Sequence, residues 1–99
     1  MLLRETEKNS LHRKDNLLEV LNEIEDDIIA INQVKENDDL MLIENLAHNI
    51  KVLANDIDAE EIKDTAFKIE LAARRGILAK AINYIEHIKY EVNQLRVSQ

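Results

Sequence analysis

Between Met1 and Gln99 the backbone meets a single glycine, Gly76, and no proline. These two residues interrupt helices most strongly, glycine through backbone freedom and proline through a missing N–H and a steric clash. A chain almost without them, and rich in Leu, Ile, Ala, Glu and Lys, reads as helical throughout with very short connections. With 99 residues it forms one domain, and its 45% hydrophobic content suffices for one core and is too high for a disordered segment.

The apolar spacing divides the chain into four amphipathic segments, at about 14–36, 39–55, 59–75 and 77–96, within a core of about 14–96. In the first, Leu17, Leu21, Ile24, Ile28, Ile31 and Val34 mark a stripe that Leu18, Val20 and Ile29 widen. In the second, Leu40, Ile43, Leu46, Ala47, Ile50, Leu53, Ala54 and Ile57 form the stripe. The third turns Ile62, Ala66, Ile69 and Ala73 inward, with Phe67 or Ala72 at the edge. The fourth uses Ile77, Leu78, Ala81, Ile82, Ile85, Ile88, Val92 and Leu95. Tyr84 and Tyr90 are expected to bury part of their rings and keep their hydroxyls wet. Four such helices with tight reversals predict an all-α, antiparallel up-down-up-down four-helix bundle.

The ends of the segments carry stop and start signals. Asp38 or Asp39 can cap the second helix, and Asp58-Ala59-Glu60-Glu61 fits a capping box for the third. Arg74 and Arg75 oppose the dipole of the third helix, which Gly76 terminates. Residues 1–13 leave two options open, a short extra N-terminal helix or a frayed arm. Ser10, Asp15 or Asn16 could cap the first long helix.

The formal net charge of -7 argues against nucleic acid or an anionic membrane surface as the main partner. The absence of cysteine removes disulfide, thiol-nucleophile and thiolate-metal chemistry. No apolar run reaches bilayer length, and MLLRETEKNS lacks the apolar core of a signal peptide, so a soluble, cytoplasmic chain is expected. Glycine-rich phosphate loops, HExxH and inward Glu-x-x-His pairs are missing, and a small bundle seldom supplies an enclosed pocket. No autonomous enzyme and no bound metal or cofactor is expected.

Of the three histidines, His12 and His87 read as surface residues. His48 lies off the apolar stripe of the second helix, sharing its face with Met41, Glu44, Asn45, Lys51, Val52 and Asn55. Such a histidine is ordinarily just solvated. An imidazole on a rigid helix can also attack phosphorus and hold a phosphoramidate without a pocket of its own, provided a partner brings the metal and the acceptor acid. Lys51 would then offset the phosphoryl charge.

The segment Leu46 to Gly76, LAHNIKVLANDIDAEEIKDTAFKIELAARRG, resembles the histidine-containing phosphotransfer (HPt) domains of bacterial and eukaryotic phosphorelays. In that family an alanine-histidine pair is followed by an apolar position, a lysine and a glycine, and then by an acidic helix start and an apolar-glutamate pair. The resemblance extends over about Leu17 to Leu95 and agrees with the order of the four helices. It implies that His48 is the phosphoryl acceptor, Lys51 its charge partner, Ala47 the buried neighbour and Ile50 the core position. It further matches Asp39 to the start of the histidine helix, Ile62 to an early apolar site, Ile69-Glu70 to the apolar-glutamate pair and Gly76 to the last turn. Asn45 and Asn55 are candidates for positioning the ring or the phosphoryl oxygens.

Two positions depart from the pattern. Val52 stands where the family has the glycine after the lysine, one turn beyond His48, and adds β-branched bulk where a partner would approach. Asp58 stands at a second glycine, in a turn that aspartate tolerates and where it would gain a capping role. Met41, Glu44 and Val52 are the candidate docking residues, although Met41 and Val52 would equally suit the border of the core.

The resemblance implies a monomer that takes a phosphoryl group from the aspartate of one response-regulator receiver domain and passes it to another. Mg2+ would sit on the receiver. The chain would be free-standing or belong to a hybrid sensor histidine kinase, and would be a carrier more than an enzyme. The alternatives are a docking or regulatory module that does not transfer, and a structural or oligomerisation bundle.

Overall fold

The computed structural model describes the backbone from Leu2 to Ser98 and the side chains from Leu17 to Ser98. It is an antiparallel up-down-up-down four-helix bundle: α1 (Leu2–Val34), α2 (Leu40–Asp56), α3 (Glu60–Arg74) and α4 (Leu78–Val97). A short 3-10 turn, Lys35–Asn37, follows α1. The first helix is continuous from Leu2, so it absorbs the separate N-terminal helix or arm. Ser10, Asp15 and Asn16 fall inside it and do not start it, and the side chain of His12 lies outside those described.

Each helix buries four aliphatic positions at three- and four-residue spacing, and these make one core. They are Leu21, Ile24, Ile28 and Ile31; Ile43, Ala47, Ile50 and Ala54; Ile62, Ala66, Ile69 and Ala73; and Ala81, Ile85, Ile88 and Val92. Val20 and Ala72 join them at the margin. The stripe on α1 is narrower than its sequence suggests, because Leu18 and Ile29 are half exposed. Both share the helix face of Asn22 and Glu25, which bond Arg96 of α4, and α1 packs less against α4 than against α2. Ile77 is also exposed, since it is the N-cap of α4 and precedes its first buried turn. Tyr90 stands out in solvent, whereas Tyr84 packs half-buried against the core.

The closest pairing is α2 with α3. Small side chains explain it: Ala47 and Ala54 on one helix and Ala66 and Ala73 on the other are fully or almost fully buried, so the two backbones approach without a side chain between them.

Three left-handed residues make the reversals. Asp38 (φ 55°) closes the 3-10 turn, and Asp39 then caps α2, its Oδ1 accepting from the Leu42 N–H at 3.1 Å. Asp58 (φ 56°) and Gly76 (φ 77°) end α2 and α3 in the same way. The Ala59 N–H returns to the Ala54 carbonyl and the Asp58 N–H to Asn55; the Ile77 N–H returns to Ala72 and the Gly76 N–H to Ala73. Both are Schellman closures, which satisfy carbonyls that the helix end would otherwise strand. The predicted capping box is therefore not formed: Ala59 is the N-cap of α3, with no side-chain cap, because Asp58 is committed to terminating α2. Asp58 does take the turn conformation expected of it.

A left-handed backbone costs any residue with a Cβ and costs glycine almost nothing. Asp58→Gly should raise the unfolding free energy by about 0.5–1 kcal/mol, and Gly76→Ala should lower it by about 1 kcal/mol. A Cβ on Gly76 would meet no atom within 4 Å, so that loss would come from the backbone alone. Urea denaturation of the two variants checks both signs.

Candidate functional site

On the side of the α2–α3 seam away from the core, His48 and Lys51 face Phe67, Glu70 and Arg74. Ala47 and Ile50, which flank His48 in sequence, are fully buried and hold this part of α2 against the core. On α3, Ile69 is fully buried beside Glu70. The helix phase that sends these residues inward brings the Glu70 side chain under the edge of α2.

Glu70 is the centre of the cluster. Its side chain is only 5% exposed, yet three basic groups converge on it. The His48 ring donates from Nδ1 to Oε2 at 3.1 Å, Arg74 Nη2 donates to the same oxygen at 3.1 Å, and Lys51 Nζ lies 2.9 Å from Oε1. Burial pushes the carboxyl up, but the hydrogen bonds and charges of Lys51 and His48 outweigh it and hold Glu70 below the usual carboxylate range. An ionised carboxylate only accepts, so the nitrogen facing it carries the proton. In the neutral ring the lone pair is therefore on Nε2, and the His48 side chain is 56% exposed. The site presents a nucleophilic nitrogen of fixed tautomer on a helix surface.

Two further contacts shape the surroundings. Arg74 also donates from Nε to Glu44 Oε2 at 2.8 Å, and this carboxylate raises the guanidinium still further. The Lys51 ammonium sits 5.0 Å from the centroid of the Phe67 ring, which holds it from the other side. Beyond it, Lys51, Val52, Asn55, Lys63 and Phe67 line a shallow groove between the two helices.

The sequence candidates thus separate. His48, Lys51 and Glu70 come together, and Glu70, expected only as a structural match, touches both of the others. Glu44 joins through Arg74. Val52 is 46% exposed and Met41 74% exposed, so both are surface residues and not the border of the core. Asn45 is exposed on the same helix. Asn55 is turned to another task, accepting from Lys63 Nζ at 3.2 Å. Sequence reasoning assigned Arg74 to the helix dipole alone and left Phe67 at the edge of the core. The four-residue spacing of Glu70 and Arg74 was the available signal for the first.

Comparison with protein-family models, with characterised proteins and with solved structures finds no significant match. The four-helix bundle itself is compatible with an HPt-like fold. No helix among the described residues is long and apolar enough to cross a membrane.

The lowered Glu70 carboxyl sets a sign for pH dependence. A group whose pKa falls on folding stabilises the fold above its unfolded value and loses that contribution as pH drops through its folded value. The stability difference between the native chain and Glu70→Gln should be largest above the ordinary carboxylate range and shrink as pH falls below it. Urea titrations of both proteins across that range measure it.

Proposed function

We propose that this domain is a phosphorelay intermediate of the HPt type, working in the cytoplasm with response-regulator receiver domains. The observation that carries this reading is the Glu70-held His48, with its lone pair on Nε2 and Lys51 and Arg74 bound to the same carboxylate.

The Nε2 lone pair attacks the phosphorus of a receiver's aspartyl phosphate. The bond from phosphorus to the aspartyl oxygen breaks, and its electron pair leaves with the receiver's carboxylate. The ring becomes positive as the N–P bond forms, and Glu70, already accepting from Nδ1–H, balances that charge. Lys51 and Arg74 are within reach to draw the phosphoryl oxygens. In the second half-reaction an aspartate oxygen of another receiver attacks phosphorus, and the N–P electron pair returns to Nε2. Mg2+ belongs to the receiver's site and takes no ligand from this chain.

A second reading has its own support. Val52 is 46% exposed one turn beyond His48, and Phe67 is 44% exposed across the groove. This bulk favours a module that docks a receiver and regulates it without accepting phosphate.

Incubation with phosphorylated receivers and Mg2+ should place an acid-labile, base-stable phosphate on the chain, absent in His48→Ala. Lys51→Ala should slow labelling by at least about tenfold, as loss of one charge-stabilising donor does in other transfers. Val52→Gly should speed it. A chain that binds receivers and takes no label supports the docking module.

A further inference from the structure

In a chain of net charge -7 most cations should find acids, and five of those described do. Lys51, Lys63, Arg74, Lys89 and Arg96 each pair with a glutamate. Among the described residues Lys35, Lys68, Arg75 and Lys80 form no ion pair, and the last three line a single cavity of about 180 Å³ at the α3–α4 turn. Leu71, Ala72, Ile77 and Tyr84 complete its wall.

The convergence is not forced by a local shortage of acid. Asp64 lies four residues before Lys68, the acid-first spacing that helices favour for a salt bridge. Lys68 instead extends toward α4, its ammonium 5.9 Å from the centroid of the Tyr84 ring, while Asp64 lines the groove on the α2 side. Like charges gathered in one recess repel each other, and a bound anion relieves that repulsion.

We infer that the recess formed by Lys68, Arg75, Lys80 and Tyr84 is an anion site for a phosphate dianion, free or as the head of a soluble phosphomonoester. Its volume is below that of drug-sized pockets and suits a tetrahedral anion with water. The guanidinium fork of Arg75 matches two oxygens of one anion, and the two ammonium groups act as point charges on the rest. Three cations complement a dianion better than a single carboxylate. The recess belongs to α3 and α4, whereas His48 stands on the α2–α3 seam, so the inference does not depend on the phosphorelay reading.

The full chain, 15N-labelled and kept at low and constant ionic strength, can be titrated with inorganic phosphate, glycerol phosphate and acetate while amide and Arg75 Nε–H resonances are followed. Saturable shifts at Arg75 Nε–H and the amides of 76–81 are expected with phosphate, unchanged in His48→Ala. Lys68→Gln, Arg75→Gln and Lys80→Gln should each weaken binding about fivefold, with unaltered helix content. Tighter binding of glycerol phosphate would assign a phosphomonoester, and tighter binding of inorganic phosphate the free anion. The inference is overturned by shifts that fail to saturate, by binding that survives in the triple variant, or by acetate binding as tightly as phosphate.

Discussion

A carboxylate withdrawn from water must be compensated or it will not stay ionised, and Glu70 meets that demand with three basic side chains from two helices. The arrangement does more than satisfy a charge. His48 and Lys51 come from α2, Arg74 from α3, so the carboxylate fixes how far one helix can slide along the other. A shift of one residue would carry the imidazole off Oε2 and the ammonium off Oε1, leaving the buried acid with Arg74 of its own helix alone. Burial makes such a loss far costlier than breaking an exposed pair of the same length. The pairing is thus a register constraint as well as the support of the histidine.

That constraint works only because the helices are already close. Alanine at 47, 54, 66 and 73 thins the α2–α3 seam, while isoleucine at 43, 50, 62 and 69 fills the core beneath it. Large residues at the alanine positions would separate the backbones and pull Glu70 out of reach of α2. The turns contribute at the ends. Asp58 and Gly76 each close a helix through a left-handed residue, so three residues separate α3 from the helix on either side. The length of α3 and the phase of its buried stripe together decide that Glu70 and Arg74, one turn apart, face α2.

What could be read without coordinates was the local part of this. The periodic stripes gave the four helices because burial and helical period are both encoded at short range, and Asp39 and Gly76 were legible as cap and terminator for the same reason. The capping box at Asp58 failed because one residue stood at two helix ends and the earlier end claimed it. The width of the α1 stripe failed because Leu18 and Ile29 border a neighbour that packs loosely. Around His48, the histidine and Lys51 were visible as a one-turn pair on one helix. Their joint contact with Glu70, which lies 22 residues beyond His48, depends on the register of two helices, and no spacing rule within a single helix reports that. Arg74 was legible through its four-residue spacing to Glu70 but not in its reach to Glu44 of α2, and Asn55 is occupied by Lys63 instead of the ring.

The form of the site also limits what any partner must supply. His48 is held on one side by a carboxylate and is 56% exposed, and the other acid of the cluster among the described residues, Glu44, is paired with Arg74. Glu70 is engaged by Lys51, Arg74 and the His48 ring N–H, and Glu44 by Arg74, so neither is free to act as a general acid toward a leaving group. A leaving group that needed protonation could not draw its proton from either carboxylate. An acyl phosphate needs none, because its leaving group is a carboxylate, and that matches the proposed reaction over hydrolysis of esters or amides. The surface around the ring is then uneven by design of the sequence: Arg74 and Glu44 make one side polar, Val52 and Phe67 make the other apolar and raised. On the proposed reading, a partner reaching for Nε2 would approach over the polar side or present a small residue opposite Val52, and the valine would then select which partners gain access.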